Sequence, residues 1–388
     1  MAITKIDSSM LEDVSGANNL VKLDANAKIP AGTGANLLNK PGPLTSASDP
    51  TISSNKTLGT EWLNSASGEM YVCTDATTGA NVWTNVGAGT GDVEPFYIFG
   101  TQYGYTAGGN APTPAGNRNV IDKYSFTSQA NATDVGNLTT NSGAQTPNRS
   151  MTHGYVSGGA GLEANINKFS FAADGDAVDA GFDLSASRHF AAGASTSTHG
   201  YTMGGVNGST WALANVIDKF SFAASATAVD IGDVVLLRER LTSHSSQTHG
   251  YGASGHVNGG GLSNAIEKFS FAAGGNSTDV GDLTEARGAD NGGGSSATYG
   301  YAAGGYNPGS SNTIDKFSFS SDGNATDVGD LPNAIRHGMV SSATNYGYHA
   351  GGYPASNMIQ RWSFTSDGNA ADWADLTVTK LQGTSNQF

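Results

Sequence analysis

One pattern constrains this chain more than any other. A Gly-Tyr pair begins at Gly104, Gly154, Gly200, Gly250, Gly300 and Gly347, at intervals of 50, 46, 50, 50 and 47 residues. Three residues past each Tyr comes Gly-Gly, at Gly108, Gly158, Gly204, Gly304 and Gly351, with Ser254-Gly255 in the fourth copy. A variable stretch follows, then (Ile/Val)-x-Lys-Phe-Ser-Phe or a close variant, ending at Phe126, Phe171, Phe222, Phe271, Phe319 and Phe364. Each copy closes on a version of Asp-Val-Gly-Asp-Leu, around Asp134, Asp179, Asp230, Asp279, Asp327 and Asp372. A fixed period of this length is the mark of a repeat architecture, in which each unit is one supersecondary element that buries its apolar face against the next.

Each copy reads as four strands. Strand a is Gly/Ala/Ser-rich, as in His189 to Ser195; strand b carries Gly-Tyr-x-x-Gly-Gly; strand c is the Lys-Phe-Ser-Phe segment; strand d is the Asp-Val-Gly-Asp stretch. The alternation in strand c puts both aromatics on one face. Asp174-Gly175, Asp322-Gly323 and Asp367-Gly368 supply hairpin turns between c and d, because Gly tolerates positive φ. Composition agrees: 54 Gly and only 13% charged residues favour tight turns over long polar helices, so the expected class is all-β. Four antiparallel strands per unit is the blade pattern of a β-propeller, with small residues crowded near a channel and aromatics filling the gap between blades. An open arc or another stack of sheets satisfies the same pattern. The first blade is expected to open at Pro95-Phe96-Tyr97-Ile98 and the last to end at Leu376, leaving Thr377 to Phe388 to return to blade one and fasten the ring.

The Gly-Gly pairs and aromatic third strands, from about residue 94 to the C-terminus, resemble kelch repeats. The resemblance implies a six-bladed kelch-like β-propeller. The Trp that usually follows the third strand is absent in most copies, replaced by the Asp-Val-Gly-Asp pattern.

Residues 1–92 do not share the repeat. Three short strands are expected around Glu61-Trp62-Leu63-Asn64, Met70-Tyr71-Val72-Cys73 and Val82-Trp83-Thr84, anchored by Trp62, Tyr71 and Trp83. A sheet this small buries too little surface to stand alone and is expected to need partner chains. The domain reading is an attachment segment over 1–40, a Ser/Thr/Pro-rich linker over 41–56, a small β module over 57–92 and the repeats over 93–388. Leu20 to Pro30, Gly59 to Asn64 and Gly68 to Asp75 resemble the N-terminal part of bacteriophage tail fibres. That resemblance implies a virion appendage, a homotrimer whose N-terminal attachment and trimerisation region contacts other tail or virion proteins and whose C-terminal head binds a host receptor.

Charge and cysteine usage narrow the partners. Nineteen basic residues against 33 acidic ones give a net charge of −14, which disfavours nucleic acid and anionic membranes. The longest aliphatic run, Val234 to Leu237, is far short of a membrane span. Cys73 is the only cysteine, so no intramolecular disulfide forms and a cysteine zinc site is not expected. The N-terminus lacks the apolar core of a signal peptide. Synthesis in the host cytoplasm followed by incorporation in a virion tail is the expected route.

Candidate binding residues come from two series. In an up-and-down blade the b–c and d–a connections emerge on one face, and the b–c loops carry Trp211, His256, Tyr306 and Tyr353. Such rings stack on sugars, or they simply cover the blade edge. Arg188, Arg238, Arg287 and Arg336 precede Gly-Tyr at similar offsets and fall in the d–a connections. They read either as a ring of guanidinium groups for acidic glycans or, more in keeping with regular placement, as architectural groups bonding the adjacent blade. Arg149 does not share the offset. His153, His199 and His249 interchange with Tyr, which argues for packing over metal binding. The Asp-Gly-Asn turns lack the full ligand series of a calcium loop. Asn131, Asn276 and Asn324 head glycosylation sequons that carry little meaning without a secretory route. No nucleophile elbow, P-loop or His-Glu-x-x-His occurs, and no carboxylate pair is singled out, so no catalytic residue, metal or cofactor is expected. The leading reading is therefore a tail-fibre or receptor-binding protein. A purely structural virion protein and a polysaccharide depolymerase are the alternatives.

Overall fold

The computed structural model describes residues 42–86, 96–112, 115–160, 163–288 and 293–388. The chain is all-β, with no helix among the described residues. It divides into two compact units, Met1–Pro95 and Phe96–Phe388. The resemblance at Leu20 to Pro30 and the attachment segment over 1–40 lie outside the described residues.

In the first unit, Leu44–Ser46, Glu61–Asn64, Met70–Asp75 and Val82–Asn85 form one sheet in that order. The stretch read as a linker thus contributes an edge strand, with Leu44 to Ser46 running parallel to Trp62 to Asn64. The physical reason is two indoles that need acceptors: Trp62 Nε1 donates to the Ser48 carbonyl at 2.9 Å and Trp83 Nε1 to that of Thr51 at 3.1 Å. The core is small, made of Tyr71, Cys73 and Trp83 with Trp62 against it.

Among the described residues, the second unit holds six four-stranded antiparallel sheets, one per sequence repeat. In sheets 2 to 6 the four strands follow chain order, beginning with strand a at Thr146–Arg149, Ala192–Ser195, Thr242–Ser245, Gly294–Ser295 and Met339–Ser342. Sheet 1 does not open at Phe96 as expected: the tail expected to return to it supplies strand a, Thr384–Gln387, whose Thr384 faces Ala107 and whose Gln387 faces Gly104. Phe96 to Phe99 form no strand, although Gly100 bridges Ala343. The residues near Phe96 are too apolar and bulky for the crowded strand a position, which the small polar run Thr384-Ser385-Asn386 fits.

Strand b and strand c explain each other. Every Gly of the Gly-Tyr pairs faces the first aromatic of strand c, as Gly154 faces Phe169 and Gly347 faces Trp362. The aromatic ring lies flat on the glycine: a Cβ would stand 2.1–2.5 Å from it in all six sheets. The following Tyr turns toward the next sheet, where it meets both strand c aromatics. Tyr105 meets Phe169 and Phe171, Tyr155 meets Phe220 and Phe222, and Tyr201 meets Phe269 and Phe271. Tyr251 meets Phe317 and Phe319, Tyr301 meets Trp362 and Phe364, and Tyr348 of sheet 6 meets Tyr124 and Phe126 of sheet 1. Tilted and stacked pairs of this kind add to the burial of the rings themselves.

Strand d is also joined to the following sheet. A Cβ on Gly136, Gly232, Gly281 or Gly329 would fall 2.2–2.4 Å from the c–d turn of the next sheet, so the Gly of Asp-Val-Gly-Asp marks a close backbone approach. The sequon asparagines serve this contact: Oδ1 of Asn276, Asn324 and Asn131 accepts the N–H of Asp233, Asp282 and Asp375.

Candidate functional site

The d–a connections have one equivalent position in each sheet, fixed by a backbone bond. The second Gly of each Gly-Gly donates to the carbonyl of Ser142, Arg188, Arg238, Arg287, Ile335 or Lys380. Each of these residues lies four positions past the last apolar residue of strand d: Leu138, Leu184, Val234, Leu283, Leu331 and Leu376.

The cations at this position are architectural. Arg188 reaches Asp218 at 2.8 Å, Arg238 reaches Glu267 at 3.3 Å, Arg287 reaches Asp315 at 2.8 Å and Lys380 reaches Asp122 at 3.0 Å, each acid lying on strand c of the following sheet. All eight side chains are at most 2% exposed. The same acids cap the preceding turn: Asp218 accepts Ser185 N–H, Glu267 accepts Leu236 N–H and Asp315 accepts Thr284 N–H. Where the cation is replaced by Ser142, the acid becomes an amide, Asn167, which accepts from Thr139. Burial lowers the pKa of Lys380 against the pull of Asp122, and that of Arg188 against Asp218.

The four arginines grouped by sequence therefore do not form a surface ring. Arg188, Arg238 and Arg287 are buried in ion pairs, and Lys380 is the unrecognised member of the series. Counting forward from strand d would have found it, whereas counting back from Gly-Tyr cannot, because its strand a belongs to sheet 1. Arg336 lies one residue past the equivalent position, which Ile335 occupies, and that single step turns its side chain the other way.

The step places Arg336 among the loop aromatics. His256, Tyr306 and Tyr353 each directly follow the Gly-Gly or Ser-Gly of strand b. Their backbones pair with Glu239, Gly288 and Arg336 of the d–a connections. His256 stacks on Tyr306 with ring centroids 6.0 Å apart and 12° between planes. Gly288 makes room, since a Cβ there would lie 1.9 Å from His256 Nε2. The Arg336 guanidinium lies 5.1 Å from the Tyr306 ring and 4.6 Å from that of Tyr353. A continuous stack His256–Tyr306–Arg336–Tyr353 thus crosses three successive sheets, and Tyr353 is 45% exposed at its end.

Trp211 belongs to a second stack. It is 72% exposed, held at φ +58°, and meets the His189 ring at 5.1 Å. His189 meets Phe190 at 5.1 Å, and the Arg240 guanidinium covers Phe190 at 3.9 Å. Burial, reinforced by Arg240, pushes the His189 pKa down. Sequence reading missed His189, Phe190 and Arg240, whose only signal is proximity to Arg188 and Arg238.

The other histidines have local roles. Nδ1 of His153, His199 and His249 lies 2.8 Å from the hydroxyl of the preceding Thr in each case. Among the described residues, no group of three or more His, Cys, Asp or Glu side chains is arranged to hold a metal ion.

A cavity is lined by strand a residues of all six sheets, including Asn148, Ala194, His244, Ser295, Val340 and Asn386. Phe96 and Ile98 cover one end of it, their carbonyls accepting from Gln247 and Gln387 at 2.8 Å. No protein-family model matches this chain, and no curated protein matches it.

Proposed function

We propose that residues 96–388 close into a six-bladed kelch-like β-propeller that serves as the receptor-binding head of a bacteriophage tail fibre, attaching to a host surface glycan without cleaving it. Closure is supported by the pairing of Thr384–Gln387 with Tyr103–Ala107, by Tyr348 against Tyr124 and Phe126, and by Lys380 with Asp122. The ring contact recurs at the other five junctions and the ion pair at three of them, while the strand pairing ties the C-terminal strand to the first repeat. In this reading the N-terminal region assembles as a homotrimer and docks on other tail or virion proteins. Its core of three buried side chains with Trp62 is small for a unit standing alone.

The observation that carries the binding role is the Tyr306–Arg336–Tyr353 sandwich. At this position the chain diverts an arginine from the buried junction and holds it, half-buried, between two phenol rings. Aromatic faces take the C–H face of a sugar, and a guanidinium takes its carboxylate or phosphate. An acidic surface polysaccharide is the matching ligand class.

A glycan array with the full chain, paired with reducing-end assays on host polysaccharide, tests the proposal. Binding without cleavage, lost in Tyr306→Ala/Tyr353→Ala at unchanged melting temperature, is the expected result. Absence of both activities would favour a purely structural virion protein, and reducing-end release would favour a depolymerase.

A further inference from the structure

The inner strands carry a single charged residue at one position of their six-fold pattern. On strand a, the residue facing the Gly of Gly-Tyr is Arg149, Ser195, Ser245, Ser295, Ser342 and Gln387 in sheets 2, 3, 4, 5, 6 and 1. All six line the same cavity. Four are serines, Gln387 is committed to the Ile98 carbonyl, and one is a cation.

The serines act as a chain of acceptors around the cavity. Ser195 Oγ accepts the N–H of Arg149 at 3.0 Å, Ser245 that of Ser195 at 3.3 Å, Ser295 that of Ser245 at 3.2 Å and Ser342 that of Ser295 at 2.7 Å. A hydroxyl whose oxygen accepts in this way still has its own proton to donate. Asn386 adds a buried Nδ2 with no partner.

Among the described residues Arg149 has no counter-charge. Its side chain lies within a residue that is 9% exposed, Nε and Nη1 are both buried and unpartnered, and no described Asp or Glu lines the cavity. The Phe96 ring covers the guanidinium at 4.9 Å, which satisfies its face but not its donor edge. Burial pushes its pKa down to about 10, so it stays charged at neutral pH. A buried cation without an anion is costly, and every other buried cation at the sheet junctions has its carboxylate.

We propose that this cavity binds a small tetrahedral oxyanion of the phosphate class, gripped by the donor edge of Arg149 and by hydroxyl groups of the inner strands. A planar fork of N–H donors suits an oxyanion's paired oxygens. The cavity measures about 60 Å³, room for roughly four or five waters or one such ion.

Calorimetric titration of the full chain with sodium phosphate, and thermal melts in phosphate against sodium chloride of matched ionic strength, test the site. Wild type should bind phosphate and melt at higher temperature than in the chloride control. Arg149→Gln should lose that difference. Arg149→Lys, which keeps the charge without the fork, should bind about tenfold more weakly, the equivalent of one charge-assisted hydrogen bond; it carries the comparison if the Gln variant does not fold. A wild-type protein indifferent to phosphate, or an Arg149→Gln variant that keeps the response, would overturn the proposal.

Discussion

Arg287 Nη2 lies 2.8 Å from Asp315 Oδ2 with both side chains fully buried, whereas the equivalent pair one sheet further on is Ile335 and Gln360. Three changes coincide there: the cation becomes Ile335, the acid becomes Gln360, and the capped turn residue becomes Pro332, which has no N–H to donate. Ile335 instead packs with Leu331, Val340 and Trp362. The buried position is neutral, and the arginine is moved one residue along the chain to the loop aromatics.

Removing one partner of the buried pair should be far worse than removing both. Arg287→Met is expected to cost about 3–5 kcal/mol by leaving Asp315 uncompensated, and Arg287→Met/Asp315→Leu to recover much of it. Urea unfolding of the two variants measures the difference.

The neutral junction makes the converse prediction. Gln360→Glu should destabilise by several kcal/mol, on the order of the cost of an unpaired buried charge, and Ile335→Arg in the same chain should restore part of the loss. A double-mutant cycle in denaturant reads the coupling, and additive losses would sink the equivalence of Ile335 with Arg287.

Gly300 is expected to tolerate no side chain, because its Cβ would stand 2.3 Å from Phe317 Cζ. Gly300→Ala should cost about 1–3 kcal/mol by overpacking, against little change for Gly309→Ala, where the nearest atom is 4.0 Å away. Melting temperatures of the two variants provide the check.

The C-terminal strand should matter to the whole second unit. Gln387 pairs with Gly104, and Phe388 stacks on Phe171 at 5.4 Å. Truncation after Gly383 is expected to lower the melting transition by more than about 5 °C, because losing a whole strand costs several kcal/mol and ~1 kcal/mol shifts a large unit by about 2–4 °C at most. An unchanged transition would mean that the strand is an appendage and would count against closure.

Acid should weaken the fold through two buried imidazoles. Burial pushes His244 and His349 down to about 4, and both nitrogens of His349 are unpartnered. A folded-state pKa below the unfolded value of 6.5 means that the unfolded chain takes up the proton first. The stability is therefore complete above pH 6.5 and is lost as pH falls toward 4, on the order of 3 kcal/mol for each. His349→Gln should flatten the fall in melting temperature between pH 6.5 and 4, and an unaltered slope would refute the assignment.

Much of the architecture was legible in the chain. The Gly-Tyr, Gly-Gly and Phe-Ser-Phe landmarks give the four-strand unit, and the strand c alternation places both aromatics between sheets. Of the candidate site, Tyr306 and Tyr353 were visible as loop rings and Arg336 as a nearby cation, but their stacking was not. His189, Phe190, Arg240 and Lys380 were passed over because nothing local distinguishes them from other polar or apolar loop residues, and Arg149 was noted only as lacking the offset of the other arginines.

The sequence by itself determined the number of repeats, the strand types within each and the all-β class, because these depend on local alternation and turn chemistry. Only the tertiary structure decided which arginines are buried in ion pairs, which one joins the loop rings, and that the returning tail supplies the first sheet's strand a in place of Phe96 to Phe99. A side chain's direction depends on which distant carbonyl its backbone meets, and one residue of offset reverses it.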